Sequence, residues 1–129
     1  MTIKEFKIQY ALGSLSEFAK EKLAFDRRTS KEILTILSTD KNSDVRYKVA
    51  GNSNTPKEIL TKLSDDKNWY VKWNVVTNIN TPPNILVNLS DKNTHIRYVI
   101  AHNSSTPPEV CNTLKDQYKH LKDLPGYLK

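Results

Sequence analysis

Three stretches decide how this chain folds: "DKNSDVRYKVAGN" at Asp40–Asn52, "DKNWYVKWNVVTN" at Asp66–Asn78 and "DKNTHIRYVIAHN" at Asp91–Asn103. Each is preceded by a threonine and a short apolar run, and the anchoring threonines are Thr29, Thr55, Thr81 and Thr106. Their spacing is 26, 26 and 25 residues, the last being shorter because "STDKN" and "SDDKN" become "SDKN" at Ser90. A fixed period of this length marks a repeat architecture and must be read before any single element.

Within each unit the apolar residues follow helical spacing. Ile33, Leu34 and Leu37 recur as Ile59, Leu60 and Leu63, then Ile85, Leu86 and Leu89, then Val110, Cys111 and Leu114. The i, i+1, i+4 pattern is one buried face of a short helix. It places Cys111 at a core leucine position as a small hydrophobe. After the "DKN" turn a second stripe follows: Val45 and Val49, Val71 and Val75, Ile96 and Ile100. Helices are therefore expected near 31–38, 44–51, 57–64, 69–77, 83–89, 95–101 and 107–121, with no sheet.

Local signals suggest how these helices begin and end. "TPKE" at Thr55, "TPPE" at Thr106 and "TSKE" at Thr29 read as capping boxes, whereas "TPPN" at Thr81 lacks the glutamate. Gly51-Asn52, Thr77-Asn78 and His102-Asn103 read as stops, since glycine and asparagine tolerate the left-handed conformation. The expected architecture is an all-α, right-handed helical-repeat solenoid occupying residues 1–129 as a single domain. Residues 29–105 form three repeats. Residues 1–28 form an N-terminal cap and half-repeat, with a helical stripe at Ile3, Phe6 and Tyr10 ended by Gly13. Residues 106–129 form a C-terminal cap, in which Tyr118 and Leu121 extend the last helix until Pro125-Gly126.

Charge is spread along the chain. Of 129 residues 26% are charged and 37% hydrophobic, which suits a thin fold with much surface. The net charge is +6, with +2 on residues 1–28 and +1 on each of 29–54, 55–80, 81–105 and 106–129. No basic arm announces a polyanion partner. One cysteine excludes an intrachain disulfide framework and a cysteine metal cluster. The opening "MTIKEFKIQY" lacks a long apolar core and no run approaches a membrane span, so a cytoplasmic chain with no membrane partner is expected.

The recurring aspartate, valine-arginine, asparagine and Thr-Pro resemble the variant leucine-rich repeat (LRV) family and the wider HEAT-repeat superfamily. The matching residues are Asp40, Val45, Arg46, Asn52 and Thr55-Pro56; Asp66, Val71, Lys72, Asn78 and Thr81-Pro82; Asp91, Ile96, Arg97, Asn103 and Thr106-Pro107, and the resemblance covers about residues 16–115. It implies an all-helical solenoid that binds macromolecules rather than catalyses. Some LRV proteins carry a cysteine-bound iron–sulfur cluster ahead of the repeats. This chain departs there, because no cysteine precedes Cys111, and no cofactor is carried over.

The pairs Asp40/Arg46, Asp66/Lys72 and Asp91/Arg97 are evenly spaced. Their expected role is structural, a ladder between each turn aspartate and a basic residue of its own or a neighbouring helix. His95, His102 and His120 lack metal-ligand spacing. The three glycines lie too far apart for a phosphate loop, and no nucleophile stands beside a base. No catalytic, metal or small-molecule site is expected.

The aromatic residues carry the functional signal. With Val71 at zero on the helical wheel and about 100° per residue, Trp69 falls near 160° and Trp73 near 200°, away from the buried stripe. Tyr47 and Tyr98 hold the place of Trp73 in the adjoining units, and Lys48 and Lys72 flank the row. Such a row serves either to pack adjacent second helices or to present a recognition surface. The recognition reading gives a non-enzymatic module that binds through Tyr47, Lys48, Trp69, Lys72, Trp73 and Tyr98. A protein partner comes first and nucleic acid is the alternative, since aromatics with basic residues also stack bases. A small HEAT-like enzyme acting on nucleic acid is a remote third.

Overall fold

The computed structural model of the chain describes residues 1–92, 94–102 and 106–118. Among those residues the chain is all-α, with no strand. The helices are α1 (Ile3–Ala11), α2 (Glu17–Phe25), α3 (Lys31–Leu37), α4 (Ser43–Gly51), α5 (Lys57–Leu63), α6 (Trp69–Thr77), α7 (Pro83–Lys92), α8 (Thr94–His102) and α9 (Pro108–Tyr118). Asn103, His120, Leu121 and Pro125-Gly126 lie outside the described residues, as do the side chains of Asp91, His102 and Tyr118.

The repeat stripes are the core. Leu34, Leu37, Leu60, Val45, Val49, Val71, Val75, Ile96, Ile100 and Leu114 are all sealed from solvent, and Phe6 of α1 is sealed with them. Cys111 is only half-buried and packs against that core from its edge. Small residues Ala24, Ala50 and Ala101 are buried near the C-terminal ends of α2, α4 and α8. Each second helix packs on the next in chain order: α2 on α4, α4 on α6, α6 on α8. Within a unit α3 packs on α4, α5 on α6 and α7 on α8.

α7 differs from expectation by running through Ser90 to Lys92. Its unit is the one lacking a residue between the apolar run and the "DKN" turn. The room that Ser38–Lys41 and Ser64–Lys67 use for a turn is missing there, and helical hydrogen bonding carries on.

Two expectations about helix ends are corrected. Thr55 does not cap α5: the N-cap is Pro56, which makes no side-chain cap bond, so no capping box forms. The Thr55 hydroxyl instead donates to the Val49 carbonyl at 2.6 Å. Thr29 donates to Leu23 O, Thr81 to Val75 O and Thr106 to Ile100 O in the same way. Each threonine closes the end of one second helix rather than opening the next first helix, and α3 is capped by Ser30. The asparagine stops are likewise not left-handed. Asn52 and Asn78 sit at φ −77° and −75° in extended backbone. Among the described residues the one left-handed position is Gly13, at φ +68°, which ends α1 as expected.

Asn52 and Asn78 work through their side chains. Asn52 Nδ2 donates to Ala24 O at 2.8 Å and Asp26 O at 3.0 Å, both in the preceding unit. Asn78 Nδ2 donates to Ala50 O at 2.7 Å and Asn52 O at 3.0 Å. Their Oδ1 atoms accept from the Asn54 and Asn80 N–H groups. Both asparagines are buried, so these bonds satisfy carbonyls at helix ends that water cannot reach.

Candidate interaction face

The aspartate ladder joins neighbouring units. Arg46 Nε donates to Asp66 Oδ2 at 2.7 Å, and Lys20 Nζ to Asp40 Oδ2 at 3.0 Å. Arg46 also reaches its own unit, donating from Nη1 to the Asp40 and Lys41 carbonyls. The basic residue thus pairs with the next aspartate in the chain and holds the backbone of its own turn. The aspartates also order that turn: Asp40 and Asp66 accept from the Asn42 and Asn68 N–H groups, and those asparagines cap α4 and α6.

At the N-terminal end this ladder lines a cavity of about 780 Å³ between the α1–α2 and α3–α4 connections, containing Tyr10, Glu17, Lys20, Asp40 and Asn42. The Tyr10 hydroxyl donates to Asp40 Oδ2 at 2.7 Å. Glu17 accepts from Lys20 at 2.9 Å and from Asn42 Nδ2 at 2.8 Å. Burial pushes the Asp40 carboxyl up, but the Asn42 N–H, the Tyr10 hydroxyl and Lys20 outweigh it and hold the group below its ordinary range. Burial and the bond to Asp40 push Tyr10 up to about 12. The hydrogen bond to Glu17 leads in raising Lys20. Tyr10, Glu17, Lys20, Asp40 and Asn42 bond to one another, and the cluster ends the ladder. Tyr10 and Lys20 are the residues that complete it. Lys20 was legible from its alignment with Arg46, whereas no repeat position points to Tyr10.

The aromatic row lies on the second helices. Trp69 is 46% exposed, Trp73 37% and Tyr98 50%. Tyr47, in the same repeat position as Trp73 and Tyr98, is instead half-buried against the core. The lysines sit on rings. Lys48 Nζ lies 5.6 Å from the Phe25 centroid and 5.7 Å from that of Tyr47, and Lys72 Nζ lies 5.7 Å from that of Trp69. The Trp73 ring meets His95 of α8 at 5.8 Å, tilted by 31°. Asn74 Nδ2 donates to Tyr47 O across the α4–α6 contact. Contacts thus link Phe25 on α2 to Lys48 and Tyr47 on α4, the Tyr47 carbonyl to Asn74 on α6, and Trp73 on α6 to His95 on α8.

Three residues of this face escaped the repeat reading: Phe25, Tyr70 and His95. Phe25 aligns with Gly51, so periodicity gives no signal for an aromatic there. Tyr70, 73% exposed, and His95 both fall near 260° on the wheel, beside the row, and could have been found from it.

Among the described residues no three His, Cys, Asp or Glu side chains are placed to hold a metal ion, and no helix is long and apolar enough to cross a membrane. Compared with known protein families, with curated proteins and with solved structures, the chain finds no match in any of the three.

Proposed function

We propose that this chain is a non-enzymatic binding module: a right-handed solenoid of LRV or HEAT-like repeats, capped at both ends, that engages a protein through its second-helix face. The observation that carries this reading is the partial exposure of large aromatics on the second helices. Trp73 and Tyr98 share a repeat position and Trp69 lies one turn before Trp73; they keep 37%, 50% and 46% of their exposure, while the stripes of the same helices are buried. Exposed tryptophan and tyrosine are the usual anchors of protein interfaces. The neighbour-to-neighbour order of α2, α4, α6 and α8 supports the solenoid, since it lines these residues along one layer.

The alternative is nucleic acid on the same face. It is favoured by the charge of α4, α6 and α8, which carry four basic residues against one acidic. The test is a pull-down with and without nuclease, followed by titrations of wild type and Trp73→Ala against the recovered protein and against single- and double-stranded nucleic acid. Protein recognition should survive nuclease and weaken only modestly from low to physiological salt. Trp73→Ala should lose about 2 kcal/mol or more of binding. Because Trp73 keeps only 37% exposure and rests on His95, the variant should also lose about 1 to 3 kcal/mol of stability, so affinity is compared per folded molecule. Tight binding to nucleic acid alone, falling steeply with salt, would replace the protein reading.

A further inference from the structure

We infer that the partner of this face is an acidic polypeptide segment, whose carboxylates meet Lys48 and Lys72 while its apolar side chains lie against the exposed rings; this rests on the protein-binding reading above. The first observation is where the lysines are held. Lys48 is poised over Phe25 and Tyr47, and Lys72 over Trp69. Among the described residues neither ammonium has a carboxylate partner, although Lys7, Lys20, Arg28 and Arg46 each have one. A cation resting on an aromatic face is attracted to it yet keeps its donors open. Among the described residues, two charges are therefore held on the face by rings and not by carboxylates.

The second observation is the local charge. Asp44 is the one acidic residue on α4, α6 and α8, against Arg46, Lys48, Lys72 and Arg97. Arg46 is committed to Asp66 and Arg97 is buried, which leaves the two ring-held lysines to act outward. On the wheel Lys48 falls near 300°, the side that meets Phe25 of the preceding unit, and Lys72 near 100°, the side from which Arg46 reaches the following unit. A segment following the row from helix to helix would meet both cations along an apolar strip. Charge complementarity of this kind steers association and fixes register.

The third observation separates a polypeptide from a nucleic acid strand. Stacking bases needs open ring faces. Here Phe25, Tyr47 and Trp69 already carry an ammonium on a face, and Trp73 leans on His95. Rings used in this way offer edges and apolar rims, which suit leucine, methionine or aromatic side chains better than a succession of bases.

The experiment is selection of a displayed library of short random peptides on the whole protein. The selected peptides are then titrated against wild type, Lys48→Ala/Lys72→Ala and Trp73→Ala, with a thymidine oligonucleotide as a parallel probe. The expected result is a consensus mixing acidic and apolar residues. Its affinity should fall on the order of tenfold in the double lysine variant, a loss typical of two rim charge pairs. Lys48→Glu/Lys72→Glu, selected separately, should enrich basic peptides instead. Among the described residues both lysine ammoniums meet rings and no carboxylate, so these variants should keep the helical circular-dichroism spectrum of the wild type. An apolar consensus with no acidic residues, or one indifferent to the lysines but lost in Trp73→Ala, overturns this inference and leaves the protein-binding reading standing. No consensus, or an oligonucleotide bound more tightly than any selected peptide, overturns both.

Discussion

Asn78 holds two carbonyls of the preceding unit with one amide group, and it does so buried. Asn78→Ala leaves both carbonyls unsatisfied and should destabilise by about 1 to 3 kcal/mol. Asn78→Asp should cost more, about 3 kcal/mol or above, because it sets a carboxylate against two carbonyl oxygens. The chain contains its own control at the equivalent first position. There Asp26 replaces asparagine and pairs with Arg28 instead of reaching backward. Urea denaturation of the two variants checks the order, and an aspartate variant as stable as the alanine one would refute it. Tyr10→Phe tests the end of the ladder. It removes a hydroxyl bonded to a carboxylate and should cost about 1.5 kcal/mol near neutral pH. The pH response follows from the shifts. Asp40 is held low, so its contribution is present above the ordinary carboxylate value of about 3.9 and is lost as pH falls through the depressed one. Tyr10 is raised to about 12, so its contribution is complete below its ordinary value near 10 and is lost as pH climbs from there to about 12. Tyr10→Phe should abolish that alkaline loss and begin the acid loss at higher pH. A stability–pH curve unchanged at both ends would show that the Tyr10–Asp40 bond does not form in solution. At this scale the positions were legible but not the partners. A local capping rule sees bonds three residues away, whereas Thr55 finds a carbonyl six residues back and Asn52 finds one 28 residues back.

The helices themselves were the most legible level, because a stripe such as Val71 and Val75 needs only helical geometry and a core to be read. What could not be read was the use of each helix end. The threonine staple shows why. Thr55 and Thr61 both donate to a backbone carbonyl, Val49 O and Lys57 O, but the first bond is buried and the second exposed. Thr55→Val keeps the shape and deletes the donor, and should cost about 1 to 2 kcal/mol. Thr61→Val, where water replaces the lost donor, should stay within about 0.5 kcal/mol. Equal effects in thermal melts would mean that the staple does not tie α4 to the start of α5. Gly51 is a second case. A Cβ there would lie 2.8 Å from Asn74 Nδ2, the atom that bonds Tyr47 O. The glycine read as a helix stop is a close-approach residue between α4 and α6, and that depends on a side chain 23 positions away.

Among the described residues, buried rungs tie the first two repeats to each other and to the N-terminal half-repeat, and the strength of a rung depends on burial. Arg46 and Asp66 retain 11% and 9% of their side-chain exposure, whereas Arg28 and Asp26 retain 86% and 37%. Arg46→Ala should therefore destabilise on the order of 3 kcal/mol by leaving Asp66 uncompensated, whereas Arg28→Ala, at a pair open to water, should leave stability nearly unchanged. The expected ladder was legible as a set of spacings. Its direction, from one unit's cation to the next unit's aspartate, was not, because a periodic sequence looks the same read forward or backward. Nearest-neighbour packing also has a kinetic signature. α4 and α6 each lie between two second helices, and α4 buries Val45, Val49 and Ala50. α1 is a terminal element that buries Phe6 and packs on α3. Opening α1 breaks one neighbour contact and the Tyr10–Asp40 bond, while opening α4 breaks an interface on either side. Native-state hydrogen exchange should then show α1 amides exchanging at least about tenfold faster than those of α4 and α6, through a partial opening that leaves the middle helices protected. Tyr10→Phe should speed α1 exchange and leave α6 unaffected. Arg46→Ala should speed α4 and α6 together. If all three helices exchanged at one rate and responded equally to both substitutions, the molecule would open as a single unit, and stability built up neighbour by neighbour would have to be abandoned.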